Sequence, residues 1–219
     1  MDDPIETAKA LVEERYPECL AAFVAGSILE GRGTPTSDLD MVVITTRAEA
    51  PYRESLRLRG WPIEVFVHTT ESYKWYFESD AKRRAPILAR MCLEGVVLRD
   101  RGGVAQTVRD DARILIERGP APLTGSELEN RRYMLTDLLD DFEGSTRSEE
   151  TAFMASTLLE DSIDLLLAVS RKWAGRSKWR ARALDALNPA LTREAVAAIE
   201  TSFKDGDRRP PGHLRHQGA

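Results

Sequence analysis

The chain has little of what disulfide staples and thiolate metal sites are built from. Cys19 and Cys92 are its two cysteines, far apart in 219 residues and without the close spacing of metal-binding pairs. The expectation is a reduced compartment and two buried thiols. Long apolar runs are missing too, so no segment approaches the roughly 20 residues needed to cross a bilayer. A dominant charge is also absent. Lys and Arg number 31 against 36 Asp and Glu, a net charge of -5, and this gives no global field to draw in a nucleic-acid backbone or an anionic membrane. Nucleic acid and membrane are therefore not expected as partners, and any anion binding must be local. The opening "MDDPIETAK" is acidic and lacks the basic and apolar pattern of a secretory signal, so the expected location is cytoplasmic. No internal repeat is visible.

What is present is ordinary globular material, 42% hydrophobic and 31% charged, enough for one good core or two small ones. Ile5, Ala8, Leu11 and Val12 recur at helical spacing and stop before Pro17, which predicts an opening helix. "LAAFVAG" and "SDLDMVVIT" read as buried strands, and "YRESLRLRG" with "IEVFVHT" as a hairpin turning through "RGWP". Helical periods follow in "ESYKWYFES" and "APILARMCLEG", then a short strand "GVVLRD" and a helix from about Val104 to Arg118. "GPAPLTGSE" breaks the pattern, and Thr124 with Glu127 fits a capping box opening a new helix. Beyond it "ELENRRYMLTDLLDDFEG", "EETAFMASTLLEDSIDLLLAVSRKW" and "TREAVAAIETSF" are all helical in period, with no strand between them. The expected architecture is α/β: a small mixed sheet with flanking helices over residues 1–120, then an all-helical domain over 121–204. The polar, Pro/Gly-rich stretch 205–219 is expected to be disordered.

Chemistry concentrates between Phe23 and Ile44, in "FVAGSILEGRGTPTSDLDMVVI". Side chains alternate across a strand, so Asp38 and Asp40 share one face while Leu39 and Met41 take the other. Two carboxylates in one site repel unless a cation lies between them, and a hard divalent ion such as Mg²⁺ suits such oxygen ligands. Glu64 is a third acid on the otherwise apolar "PIEVFVH", unexpected unless something compensates it. If its strand lies beside that of Asp38 and Asp40, the three acids converge and could hold two ions about 3.5 to 4 Å apart. Gly26 permits close backbone approach, and Ser27 offers a hydroxyl and an amide to a phosphate. Gly26 and Gly31 have the glycine spacing of a Walker loop, but Arg32-Gly33 stands where Lys and Ser/Thr are required, which excludes one. A turn at "GTPTSD" would account for Asp38 alone as a solvated capping group and leaves Glu64 unexplained.

"AGS", ten intervening residues, "DLDM" and the later acid of "IEVFV" together resemble the signature of the DNA polymerase β-like nucleotidyltransferase superfamily over about the first half of the chain. The resemblance implies ATP as co-substrate, two Mg²⁺ ions on Asp38, Asp40 and Glu64, and a triphosphate held by Gly26 and Ser27. Glu64 would serve as a metal ligand or as the general base. "LEDSIDLLLAVSRKW" followed by "RSKW" looks like the helical domain of bacterial aminoglycoside nucleotidyltransferases. By that match Asp161 contacts the acceptor, Lys178 contacts the triphosphate, and the nucleotide lies between the two domains.

Other readings stand beside these. Glu160, Asp161 and Asp164 also fit a solvated helix face over a core stripe of Phe153, Leu159, Ile163 and Leu166. "RKWAGRSKWRAR" reads either as an exposed helix end with two tryptophan anchors or as a triphosphate-binding rim, with a nucleic-acid face third. His68 follows the Glu64 strand and is either a packing group or a proton-transfer aid. Arg208 and His213 have the spacing of a helical ribonuclease-toxin motif, but the intervening Pro-Pro-Gly cannot stay helical. The activity expected is transfer of AMP to a hydroxyl of a small-molecule acceptor, aminoglycoside-like or other. Transfer of AMP to a partner protein, as in antitoxin-type members, and a nucleotide-binding module without turnover are the rival readings.

Overall fold

A computed structural model describes residues 2–29, 31, 33–34, 37–46 and 49–205, the last five of these as backbone only. Arg32, Arg208, His213, His216 and all of 205–219 except Asp205 lie outside the described residues. Two compact units are present, Met1–Gly119 and Pro120–Ala219.

The first unit opens with α1 (Pro4–Arg15), started by the Asp3 carboxylate, which accepts a hydrogen bond from the Glu6 amide at 2.9 Å, and by Pro4 in the first turn. Five strands follow in one sheet: β1 (Ala21–Ala25), β2 (Leu39–Ile44), β3 (Tyr52–Leu58), β4 (Trp61–His68) and, after α2 (Ser72–Lys82) and α3 (Ile87–Glu94), β5 (Val96–Asp100). A final helix, α4 (Val104–Arg118), completes the unit. The strand order is β3-β4-β2-β1-β5, with β2 and β4 parallel and every other neighbouring pair antiparallel. This is a small mixed sheet with flanking helices.

Alternation sorts the sheet's residues between its faces. Ala22, Val24, Leu39, Met41, Val43, Ile63, Val65 and Val67 pack with Ala8, Leu11 and Val12 of α1 into one buried core. Opposite parity puts Phe23, Val42 and Ile44, all fully buried, on the face against which α3 and α4 lie. Asp40 and Glu64 belong by parity to this second face, Asp40 at the start of β2 and Glu64 beside it within β4. Both cysteines are free and buried, and burial pushes each thiol up from its ordinary pKa, so neither is poised for reaction.

The described residues of the second unit form helices joined by loops, with no strand among them: α5 (Gly125–Gly144), α6 (Ser148–Val169), α7 (Lys178–Leu187) and α8 (Pro189–Asp205). Thr124 caps α5 reciprocally, its hydroxyl accepting from the Glu127 amide at 3.2 Å while the Glu127 carboxylate accepts from the Thr124 amide at 2.7 Å. Ile163, Leu167 and Leu184 form the core with Leu159, Leu166 and Leu191. Two details depart from the sequence pattern. The apolar period of α6 runs on to Trp173, yet the helix ends at Val169, because Arg171 turns to φ 52° and the Lys172 amide bonds back to the Leu167 carbonyl at 2.8 Å. The basic cluster is thus not one helix end but spans a loop and α7. Of its tryptophans, Trp173 is buried while Trp179 is exposed, with the Arg182 guanidinium 4.6 Å from its ring centroid. Among the described residues no helix is long and apolar enough to cross a membrane.

Candidate active site

Parallel pairing of β2 with β4 sets Asp40 directly opposite Glu64, and antiparallel pairing of β2 with β1 sets Asp40 opposite Ala25, one residue before Gly26. Asp38 stands two residues before Asp40 on the same parity. One carboxylate oxygen from each of Asp38, Asp40 and Glu64 lies within 4.8 Å of the others, with Asp38 exposed and the other two half-buried. Three acids, two on neighbouring strands and one just before β2, therefore converge on one point.

Gly26 is what lets β1 approach that point. It takes φ +120°, where L side chains are strained, and a Cβ there would stand 3.1 Å from the Asp38 carbonyl oxygen and 3.7 Å from Asp40 Oδ2. A Cβ at this position would crowd the Asp38 backbone and stand in contact with the Asp40 carboxylate. Ser27 Oγ lies 3.1 Å from Ser37 Oγ, and Ser37 Oγ in turn accepts from the Thr34 amide at 2.9 Å. The hydroxyls of Ser27 and Ser37 thereby tie the end of β1 to the residue before Asp38. Ser37 and Thr34 were not singled out by the pattern of the sequence; their signal was the polar run "GTPTSD", which reads as a turn.

Arg53 is the second partner that the sequence did not disclose. It lies on the edge strand β3, opposite Phe66, and its Nη2 donates to Glu64 Oε1 in an ion pair. Ser55, directly opposite Glu64, has its Oγ at 3.4 Å from the same oxygen. The acid on the apolar strand is thus compensated in part by an arginine from its hairpin partner.

His68 plays no part at the acids. Four residues beyond Glu64 along a strand is about 13 Å, and His68 is buried, its ring 4.8 Å from that of Tyr76 and its Nδ1 3.4 Å from Ser72 Oγ. Burial pushes its pKa down to about 4 from 6.5. The unfolded chain then binds the proton first as pH falls, so the stability His68 contributes is complete above about 6.5 and is lost progressively as pH drops toward 4. Urea unfolding at pH 7 and pH 4.5 should show a smaller loss for His68→Phe than for the wild type; equal losses would mean that His68 does not set the acid sensitivity.

In the second unit, Asp161 and Lys178 are both exposed, and neither has a hydrogen-bond or ion-pair partner among the described residues. Lys178 is the first residue of α7, behind Ser177 at φ 50°. Their neighbours are engaged. Arg180 donates through Nε and Nη2 to the two Asp164 oxygens at 2.8 and 3.0 Å, and its Nη1 is 3.0 Å from Glu160 Oε1. Glu160 and Asp164 are therefore more than a solvated face: Asp164 fastens α7 to α6 in a bidentate pair with Arg180, and Glu160 adds an ion pair to the same guanidinium.

No family model matches this chain, and no curated protein matches it. Among solved structures, a nucleotidyltransferase-like protein from Exiguobacterium sibiricum 255-15 is similar over 94% of this chain and 69% of its own, at 12% identity and a TM-score of 0.45. A likeness at that level assigns neither a reaction nor a substrate to this chain.

Proposed function

We propose that the first unit is the catalytic domain of a nucleotidyltransferase that moves AMP from ATP to a hydroxyl of a small-molecule acceptor. The observation that carries this reading is the convergence of Asp38, Asp40 and Glu64 within 4.8 Å across paired strands. Their donor set fits a hard divalent ion: all oxygen, anionic, part exposed, beside a glycine whose missing side chain leaves the acids uncovered. Bound there, Mg²⁺ would neutralise triphosphate charge and make the acceptor hydroxyl more acidic.

The protein's own groups have distinct tasks. Asp38 and Asp40 are the ion ligands, and Gly26 with Ser27 forms the cradle for the phosphates, a short turn after a strand. In the reaction the acceptor oxygen bonds to the α-phosphorus, the α–β anhydride bond breaks, and pyrophosphate leaves with the electron pair. Glu64 is placed either to take the hydroxyl proton or to complete the ligand set. Lys178 and Asp161 are assigned to the triphosphate and the acceptor. Replacing Lys178 by Ala should weaken ATP binding by roughly 1.5 to 3 kcal/mol, the worth of a charge-assisted contact; unchanged affinity in calorimetry would return it to the solvated surface.

The reading is tested with ATP labelled at the α-phosphate, Mg²⁺ and a panel of hydroxylated acceptors. Label on a small molecule with release of pyrophosphate is the expected result. Label on protein would shift the acceptor class, and no transfer to any acceptor, together with no binding of ATP, would overturn the assignment.

A further inference from the structure

The Arg53–Glu64 pair has a consequence for how the three acids meet an ion. Arg53 is 60% exposed and Glu64 19% exposed, so the guanidinium approaches from the solvent side onto a carboxylate that is mostly covered. Its Cζ is 5.1 Å from the centroid of the Phe66 ring, which guides the side chain along the sheet toward Glu64. Both Arg53 and Ser55 address Oε1, while Oε2 has no hydrogen-bond partner among the described residues. A cation bound by all three acids would sit beside this guanidinium. To ligate through Oε1 the ion must first displace this guanidinium, and giving up a charge-assisted hydrogen bond costs about tenfold or more in affinity.

We propose that Arg53 is a built-in counter-ion for the third acid, holding Glu64 through Oε1 while the site carries no divalent ion and giving it up when one binds. This rests on the metal-dependent reading above and adds a residue to it. Arg53 acts through Glu64 and is a positioning residue. It lowers the repulsion among the three acids in the ion-free protein, and it sets the ion concentration at which Glu64 joins Asp38 and Asp40. Because Arg53 is on an exposed edge strand and its side chain is mostly in solvent, replacing it leaves the buried core untouched.

Calorimetric titration of Mn²⁺ alone into wild type, Arg53→Gln, Arg53→Lys, Glu64→Gln and the Arg53→Gln, Glu64→Gln double variant tests this. Arg53→Gln should bind Mn²⁺ about tenfold more tightly than wild type, because the ion no longer has to displace a charge-assisted bond from Glu64, and Arg53→Lys, which keeps the charge, should return most of the way to wild-type affinity. In the Glu64→Gln background the gain from Arg53→Gln should shrink to less than about twofold, because the coupling runs through the carboxylate. A merely structural Arg53 would give the opposite sign, since its loss would loosen Glu64 and weaken binding. Unchanged or weaker binding by Arg53→Gln overturns the proposal, and so does a full gain in the Glu64→Gln background, which would be simple charge repulsion. Failure of the metal reading itself looks different: wild type and Arg53→Gln would both fail to bind Mn²⁺, or would bind it equally well after Asp38→Asn, Asp40→Asn.

Discussion

The Asp38→Asn, Asp40→Asn double variant is expected to lose turnover by on the order of a thousandfold or more while remaining folded. Two anionic ligands vanish from one point, and several kcal/mol of ion-derived transition-state stabilisation goes with them, at tenfold per 1.36 kcal/mol. The fold should tolerate the change for a reason visible in the sheet. Asp38 is exposed and precedes β2, Asp40 is half-buried at its start, and asparagine matches both in shape. The core positions of the strand, Leu39, Met41 and Val43, point to the other face. Circular dichroism and a melting curve should therefore match those of the wild type in chelator, and calorimetry should show no Mg²⁺-dependent ATP binding. Turnover within tenfold of wild type would mean that the aspartates are not ion ligands for the reaction.

Glu64→Gln is expected to divide the two roles left to that residue. The amide is nearly isosteric, and its carbonyl oxygen can still accept from Arg53, so the hairpin contact survives in form. As the general base, Glu64 would leave ATP·Mg²⁺ affinity intact in the variant while turnover fell about 10²- to 10⁴-fold, because an amide cannot take the proton. As a ligand, it would take affinity and turnover down together. Retained affinity with full turnover would exclude both roles and leave Glu64 as a partner of Arg53 alone.

Much of this candidate site is legible in the sequence. Strand parity alone put Asp38 and Asp40 on one face, and Glu64 was conspicuous because the run from Pro62 to Val67 is otherwise apolar on both faces. Whether Glu64 meets the aspartates depends on which strand lies next to which. That is a long-range property: β3 and β4 form a local hairpin, but the parallel pairing of β4 with β2 carries no local sequence signal. Arg53 stayed hidden for the same reason. Its alternation with Tyr52 and Glu54 looks like an ordinary edge strand, and only the register with Phe66 and Glu64 gives it a target. In the helical half, the period of α6 overran its true end because a positive φ at Arg171 is set by the turn that follows and not by side-chain type. The acids Glu160 and Asp164 read as solvated because their partner, Arg180, lies on a helix, α7, that the pattern did not separate from the basic cluster.

The most direct test of the central claim is calorimetric titration of ATP into the wild-type protein with Mg²⁺ and again with chelator. The account predicts saturable ATP binding that needs the divalent ion and disappears in the Asp38→Asn, Asp40→Asn variant. Equal affinity with and without the ion would contradict it, because three convergent carboxylates would then have no cation to hold.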